Sequence, residues 1–276
     1  MKRFGFIFLF FITLSASAQW SDKYSSDYAD FYRAEELFEK AKFSAAQEEY
    51  KLFMKGFDQP NHPYFVKASY YNALCALHLY HQDAEQLLLA FLAEYPESIY
   101  RQEIYFELGK YYYRKKKYDK VIDLFAQVEV HDLNEELIPE YYFKLGYSFF
   151  SKDKLKQARD AFYEILEVES QYKDPALYYY SHIAYSQKNY EVALKGFRKL
   201  EKNENFKKSV PAYIAQILYL QGKYDELLEY APPIMDGNPQ NSVEMAHLIG
   251  DAFYRIGKYD EAVPFLEEYN QKSATT

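Results

Sequence analysis

A chain of 276 residues can bury a sizeable core, as one large domain or as two ordinary ones. Aromatics make up 20% of it, with 32 Tyr and 22 Phe against 9 Gly and 10 Pro, a mix that suits packed helices whose tyrosines keep one edge wet. The formal charge of -8 leaves no surplus of cations for a phosphate backbone, so no nucleic-acid partner is expected.

Residues 1–18 read as an export signal. Lys2 and Arg3 are basic, Phe4 to Leu14 form an apolar run of eleven residues, and Ala16-Ser17-Ala18 is a small-residue cleavage pattern. Eleven residues are too few to span a bilayer, which takes about twenty in a helix, so no stable membrane insertion is expected; a retained signal anchor is the alternative. Cleavage near Ala18 leaves a chain beginning at Gln19 rather than at a cysteine, hence not a lipoprotein, in an extracytoplasmic space such as a bacterial periplasm. Residues 19–26 read as a short linker.

From residue 27 to residue 270 the chain repeats itself. ELGKYYYRKKKYDKVIDLF, KLGYSFFSKDKLKQARDAF and LIGDAFYRIGKYDEAVPFL align without gaps. Extending that template gives seven repeats, near 27–60, 63–98, 101–133, 138–170, 174–204, 209–239 and 242–270. A first small site falls at Ala34, Asn72, Gly109, Gly146, Ser181, Ala215 and Gly250. A second falls at Ala46, Ala84, Val121, Ala158, Ala193, Leu227 and Ala262. Both series show spacings of 38, 37, 37, 35, 34 and 35 residues, so the two marks move together along the chain.

Each repeat reads as a helix hairpin. In the third, Tyr105, Leu108 and Tyr112 make one apolar face, Arg114 to Lys117 the turn, and Tyr118, Val121, Leu124, Phe125 and Val128 the facing stripe. Small residues set the distance between the helices, which is why Gly146 stands twelve residues before Ala158. One hairpin cannot bury both faces, so neighbours must stack into an all-α solenoid. The first two repeats place Ala34 and Asn72 at the close-approach site and run longer, which predicts looser packing. Cys75, the only cysteine, reads as a small buried thiol. In the sixth repeat Leu227 replaces the usual Ala, and Pro232-Pro233 predict a shortened or kinked helix ending near Ala231. Residues 271–276 read as a tail.

Tyr105-Leu108-Gly109-Tyr112, Tyr142-Leu145-Gly146-Phe149, and Ile249-Gly250-Phe253 followed by Tyr259, Ala262 and Leu266 resemble the tetratricopeptide repeat (TPR) family. Pro96 and Pro239 match its closing proline. The resemblance implies a right-handed α-solenoid of about seven hairpins whose first helices line a concave, ligand-binding face. Carried onto this chain, that face lies three residues before, one after and four after each first small site. The implied partner-binding groove is Phe106, Lys110, Tyr113, Phe143, Tyr147, Phe150, Tyr178, His182, Tyr185, Tyr219 and Tyr254. Aromatics there suit extended peptides, hydrophobic segments or stacked sugar rings, and also serve packing. The Lys and Asn pairs with which some family members clamp an acidic chaperone tail are missing from the series Glu35, Ala73, Lys110. Such arrays usually end in a capping helix, so Leu266 and Tyr269 on the last helix are expected to form an open interface for self-association or partner docking.

No chemistry stands out. The sequence has no Gly-rich phosphate loop, G-x-S-x-G elbow or H-E-x-x-H helix, so no catalytic residue, cofactor or metal site is expected. His78 and His81, followed by Asp83, come nearest to a metal site, but His81 occupies the packing position that holds Tyr118, Tyr190, Tyr224 or Tyr259 elsewhere. The run Arg114 to Lys117 closes a helix, where the dipole favours cations. The expected function is an exported scaffold or adaptor holding a polypeptide in an envelope-assembly, secretion or surface-complex machine. The alternative is a glycan-binding module for cell-wall or capsule polymers.

Overall fold

The computed structural model describes residues 27–237 and 242–273. The export signal, the linker, Pro239 and the last three residues lie outside the described residues. The chain divides into two compact units, Met1–Tyr111 and Tyr112–Thr276. In the first lie α1 (Ala29–Glu39), α2 (Phe43–Gly56), α3 (Pro63–His78) and α4 (Ala84–Glu94), and the boundary falls within α5 (Arg101–Arg114). The second holds α6 (Tyr118–Phe125), two single turns of 3-10 helix (Val130–Asp132 and Glu135–Leu137), α7 (Ile138–Ser151), α8 (Leu155–Tyr163), α9 (Lys173–Ser186), α10 (Tyr190–Leu200), α11 (Val210–Leu220), α12 (Tyr224–Gly237), α13 (Ser242–Arg255) and α14 (Tyr259–Ser273). The described residues are all-α, fourteen helices in seven consecutive pairs.

One device ends the first helix of every pair. A single residue turns left-handed at Ala41, Tyr80, Lys116, Asp153, Lys188, Gly222 and Gly257, with φ between 55° and 81°. The amide that follows it reaches back five residues to a helix carbonyl: Lys42 to Leu37, His81 to Ala76, Lys117 to Tyr112, Lys154 to Phe149, Asn189 to Ala184, Lys223 to Leu218 and Lys258 to Phe253. This is a Schellman closure, which satisfies carbonyls that the helix end leaves unpaired. Only two of the seven left-handed residues are glycine.

A second device joins one pair to the next. Four residues past the second small site of the first six repeats stand Tyr50, Leu88, Phe125, Phe162, Phe197 and Ala231, all fully buried. The rings among them stack on a tyrosine of the following helix: Tyr50 on Tyr71 at 5.8 Å, Phe125 on Tyr141 at 4.8 Å, Phe162 on Tyr179 at 5.6 Å and Phe197 on Tyr213 at 4.9 Å. The small sites make room for this. A Cβ on Gly146 would stand 2.8 Å from the Phe162 ring, and one on Gly250 2.7 Å from Leu266.

The prolines do not end α12 at Ala231. It continues to Gly237 with Pro232 and Pro233 inside it. The Leu228 and Glu229 carbonyls lose their helical donors, which costs about 3 kcal/mol per proline on peptide scales. Burial on both sides of the break outweighs that loss: Leu227 and Ala231 are fully buried before it, and Ile234 and Met235 pack on the same core after it. Cys75 is fully buried, and burial pushes its thiol up to about 12, far from a nucleophile. His78 lies flat on Phe43, ring centroids 4.2 Å apart.

Candidate functional site: an aromatic face on the first helices

In the first unit, Phe106 is fully buried and Lys110 covers it, Nζ 4.9 Å from the ring centroid and 2.5 Å from the Glu107 carboxylate. Phe106 therefore belongs to the core and offers no ring to a ligand, contrary to the sequence reading. It sits three residues before Gly109, a position that faces inward here.

In the second unit the predicted aromatics come together. Tyr113 meets Tyr147 at 5.7 Å, and Lys144 Nζ stands 4.4 Å from the Tyr113 ring and 3.3 Å from Glu140. Tyr147 and Phe150 both contact Tyr179, at 5.2 and 5.1 Å, and Phe150 contacts His182 at 5.7 Å. His182 and Tyr185 both contact Tyr213, at 5.6 and 5.4 Å. Phe143 stacks on Tyr172 at 5.3 Å, and Tyr178 on Phe206 at 5.0 Å. All of these residues are half-buried, so a network runs unbroken from Tyr113 to Tyr185 and each member keeps part of its surface in contact with water.

Tyr179 and Tyr213 connect this network, and sequence reasoning missed them. Each lies two residues before a first small site, and each is also the stacking partner of Phe162 or Phe197.

His182 Nδ1 is buried without a hydrogen-bond partner among the described residues, and burial lowers the imidazole pKa. The ring is neutral at pH 7.

Solved structures with similar folds include MamA AMB-1, 15% identical over 64% of this chain and 93% of that one with a TM-score of 0.55. The apo form of RapI is 11% identical over 91% of this chain and 77% of that one, TM-score 0.53. YrrB, described as a TPR protein with an unusual peptide-binding site, is 13% identical over 66% of this chain and 90% of that one, TM-score 0.53. The fold is that of the tetratricopeptide repeat proteins. No family model and no curated protein matches the sequence.

In the last two hairpins the tyrosines of the corresponding positions stand among polar side chains. Tyr185 Oη donates to Gln216 Oε1 at 2.9 Å, and Gln216 Nε2 donates to Glu244. Tyr219 Oη donates to Asp251, while Arg255 Nε donates to Asp251 Oδ2 at 2.7 Å and to Tyr219 Oη at 2.9 Å. Burial pushes the Asp251 carboxyl up, but the hydrogen bonds from Tyr219 and Arg255 and the Arg255 charge hold it below the usual carboxylate range. Tyr254 stands exposed beside Tyr259 at 5.2 Å.

Leu266 and Tyr269, the residues expected at a C-terminal interface, both lie on α14. Leu266 tucks against Gly250, Tyr269 lies 4.6 Å from His247, and both are half-buried. The glycine is what lets Leu266 sink. The exposed large hydrophobic side chains of α14 are Tyr259 at 59% and Val263 at 50%. Among the described residues no helix is long and apolar enough to cross a membrane, and no cluster of three His, Cys, Asp or Glu could hold a metal.

Proposed function

We propose that this TPR chain is a scaffold that holds an extended polypeptide against the aromatic face of α7 and α9. The ring network from Tyr113 to Tyr185 carries the reading. Rigid aromatic anchors supply contact area at small entropic cost, and half-burial fixes them before the partner arrives. The likeness to YrrB, whose description names a peptide-binding site, agrees with it at the level of fold. Each ring already touches others, so part of the ring surface that a stacked sugar would use is taken. The export-like pattern of residues 1–18 supports work at the cell envelope, in assembly, secretion or a surface complex. Self-association through the exposed Val263 side of α14 belongs to the same proposal.

The test is crosslinking in native cells followed by identification of attached proteins. Tyr147→Ala, Phe150→Ala and Tyr185→Ala combined should remove the captured polypeptide while far-UV circular dichroism stays helical. Unchanged capture would move the site elsewhere, and glycan-array binding without any captured protein would favour the carbohydrate reading. Mass spectrometry of the exported chain should find it beginning at Gln19.

A further inference from the structure

In the second repeat, small residues replace the rings. Ser69, Ala73 and Ala76 stand where the fourth repeat carries Phe143, Tyr147 and Phe150. Beside Ser69 a cavity of about 340 Å³ opens along α3 and α4. That is the lower end of the range of ligand pockets, about 300–1,000 Å³.

The cavity wall has a definite chemistry. Phe65 of α3, Phe91 of α4 and Tyr95 just beyond it supply three rings, and Tyr95 is fixed by its hydroxyl donating to the Pro60 carbonyl at 3.0 Å. Glu94 is the one charged residue of the lining, and its carboxylate takes part in no ion pair or hydrogen bond among the described residues. Asn72 lies in the wall at 9% exposure with no hydrogen-bond partner for its Oδ1, while its main-chain carbonyl accepts from Gln47 Nε2 at 3.2 Å. A buried amide left unpaired is costly, and a donor arriving through the cavity would relieve it.

Rings, an unpaired carboxylate and an unpaired acceptor favour a cation that carries N–H donors on an apolar stem. An anion would meet Glu94 with no cation in the wall to offset it. A purely apolar group would leave Glu94 and Asn72 unused. We propose that this cavity receives a lysine or arginine side chain of a bound polypeptide, its stem along the rings and its charged head between Glu94 and Asn72. The inference rests on the polypeptide-binding reading only for the source of the cation; the site itself belongs to the unit Met1–Tyr111.

The experiment is amide NMR of the full chain titrated with acetyl-Ala-Arg-Ala-amide and acetyl-Ala-Lys-Ala-amide, with the citrulline and norleucine peptides as neutral counterparts. Saturable shifts at Ser69, Asn72 and Tyr95 are expected with both cationic peptides, and binding about tenfold weaker with the neutral ones. Glu94→Gln, an exposed change that spares the core, should weaken the cationic peptides about fivefold. Ser69→Phe should fill the space and abolish the shifts. Tyr147→Ala, in the other unit, should leave them unchanged, so failure here is distinguishable from failure of the aromatic face. Equal binding of the citrulline peptide, no effect of Glu94→Gln, or no saturable shift would each overturn the proposal.

Discussion

Lys116 and Lys188 hold φ of 55° and 61°, a left-handed conformation that costs a side-chain-bearing residue roughly 1 kcal/mol. Lys116→Gly and Lys188→Gly should therefore each stabilise the fold by about 0.5–1 kcal/mol, and Gly222→Ala should destabilise it by about 1 kcal/mol, all read from urea midpoints at constant m. Only Gly222 and Gly257 announced this geometry in the sequence. A lysine at a helix end reads as a cation complementing the dipole, and nothing in its chemistry tells of the backbone beneath it. His182 makes the second residue-scale prediction. Its imidazole pKa is lowered by burial, so the unfolded chain binds the proton more readily. Its contribution to stability is complete above the ordinary histidine value and is lost as pH falls through the lowered one. Denaturant unfolding at pH 7.5 and pH 5.5 should show that loss in the native chain and a smaller one in His182→Gln.

At the scale of elements, the joints between helix pairs are the points to attack. Phe197 stacks on Tyr213 at 4.9 Å with the rings 10° apart, and Phe197 is fully buried. Phe197→Ala should cost about 3–5 kcal/mol, and a double-mutant cycle with Tyr213→Ala should return about 0.5–1.5 kcal/mol of coupling beyond buried area. The exposed Pro233 tests the opposite direction: Pro233→Ala restores a donor inside α12 and should stabilise by about 1–3 kcal/mol in thermal unfolding. The helices themselves were legible in the sequence, because the small sites and apolar stripes recur seven times. The fate of the prolines was not, since propensity is local and the burial of Ala231, Ile234 and Met235 that overrides it comes from other helices.

Across the whole molecule, the period revealed the fold while the partner face was only half readable. Tyr147, Phe150 and His182 do meet, Tyr185 joins them only through Tyr213, and Phe106 sinks into the core because its position faces inward in that repeat. Period and spacing name positions on a helix; only packing decides which side of each ring meets water. With one cysteine in 276 residues and that one fully buried, no internal disulfide holds the chain. Reductant should leave the melting temperature unchanged, and iodoacetamide should label Cys75 only as fast as the surrounding helices open.

The rings from Tyr113 to Tyr185 lie close enough, and are held rigidly enough, for their electronic transitions to couple. The near-ultraviolet circular dichroism of this chain should thus carry a tyrosine band that belongs to the face rather than to any one residue. A polypeptide settling there would change its sign or intensity, so the proposed binding surface comes with its own optical label.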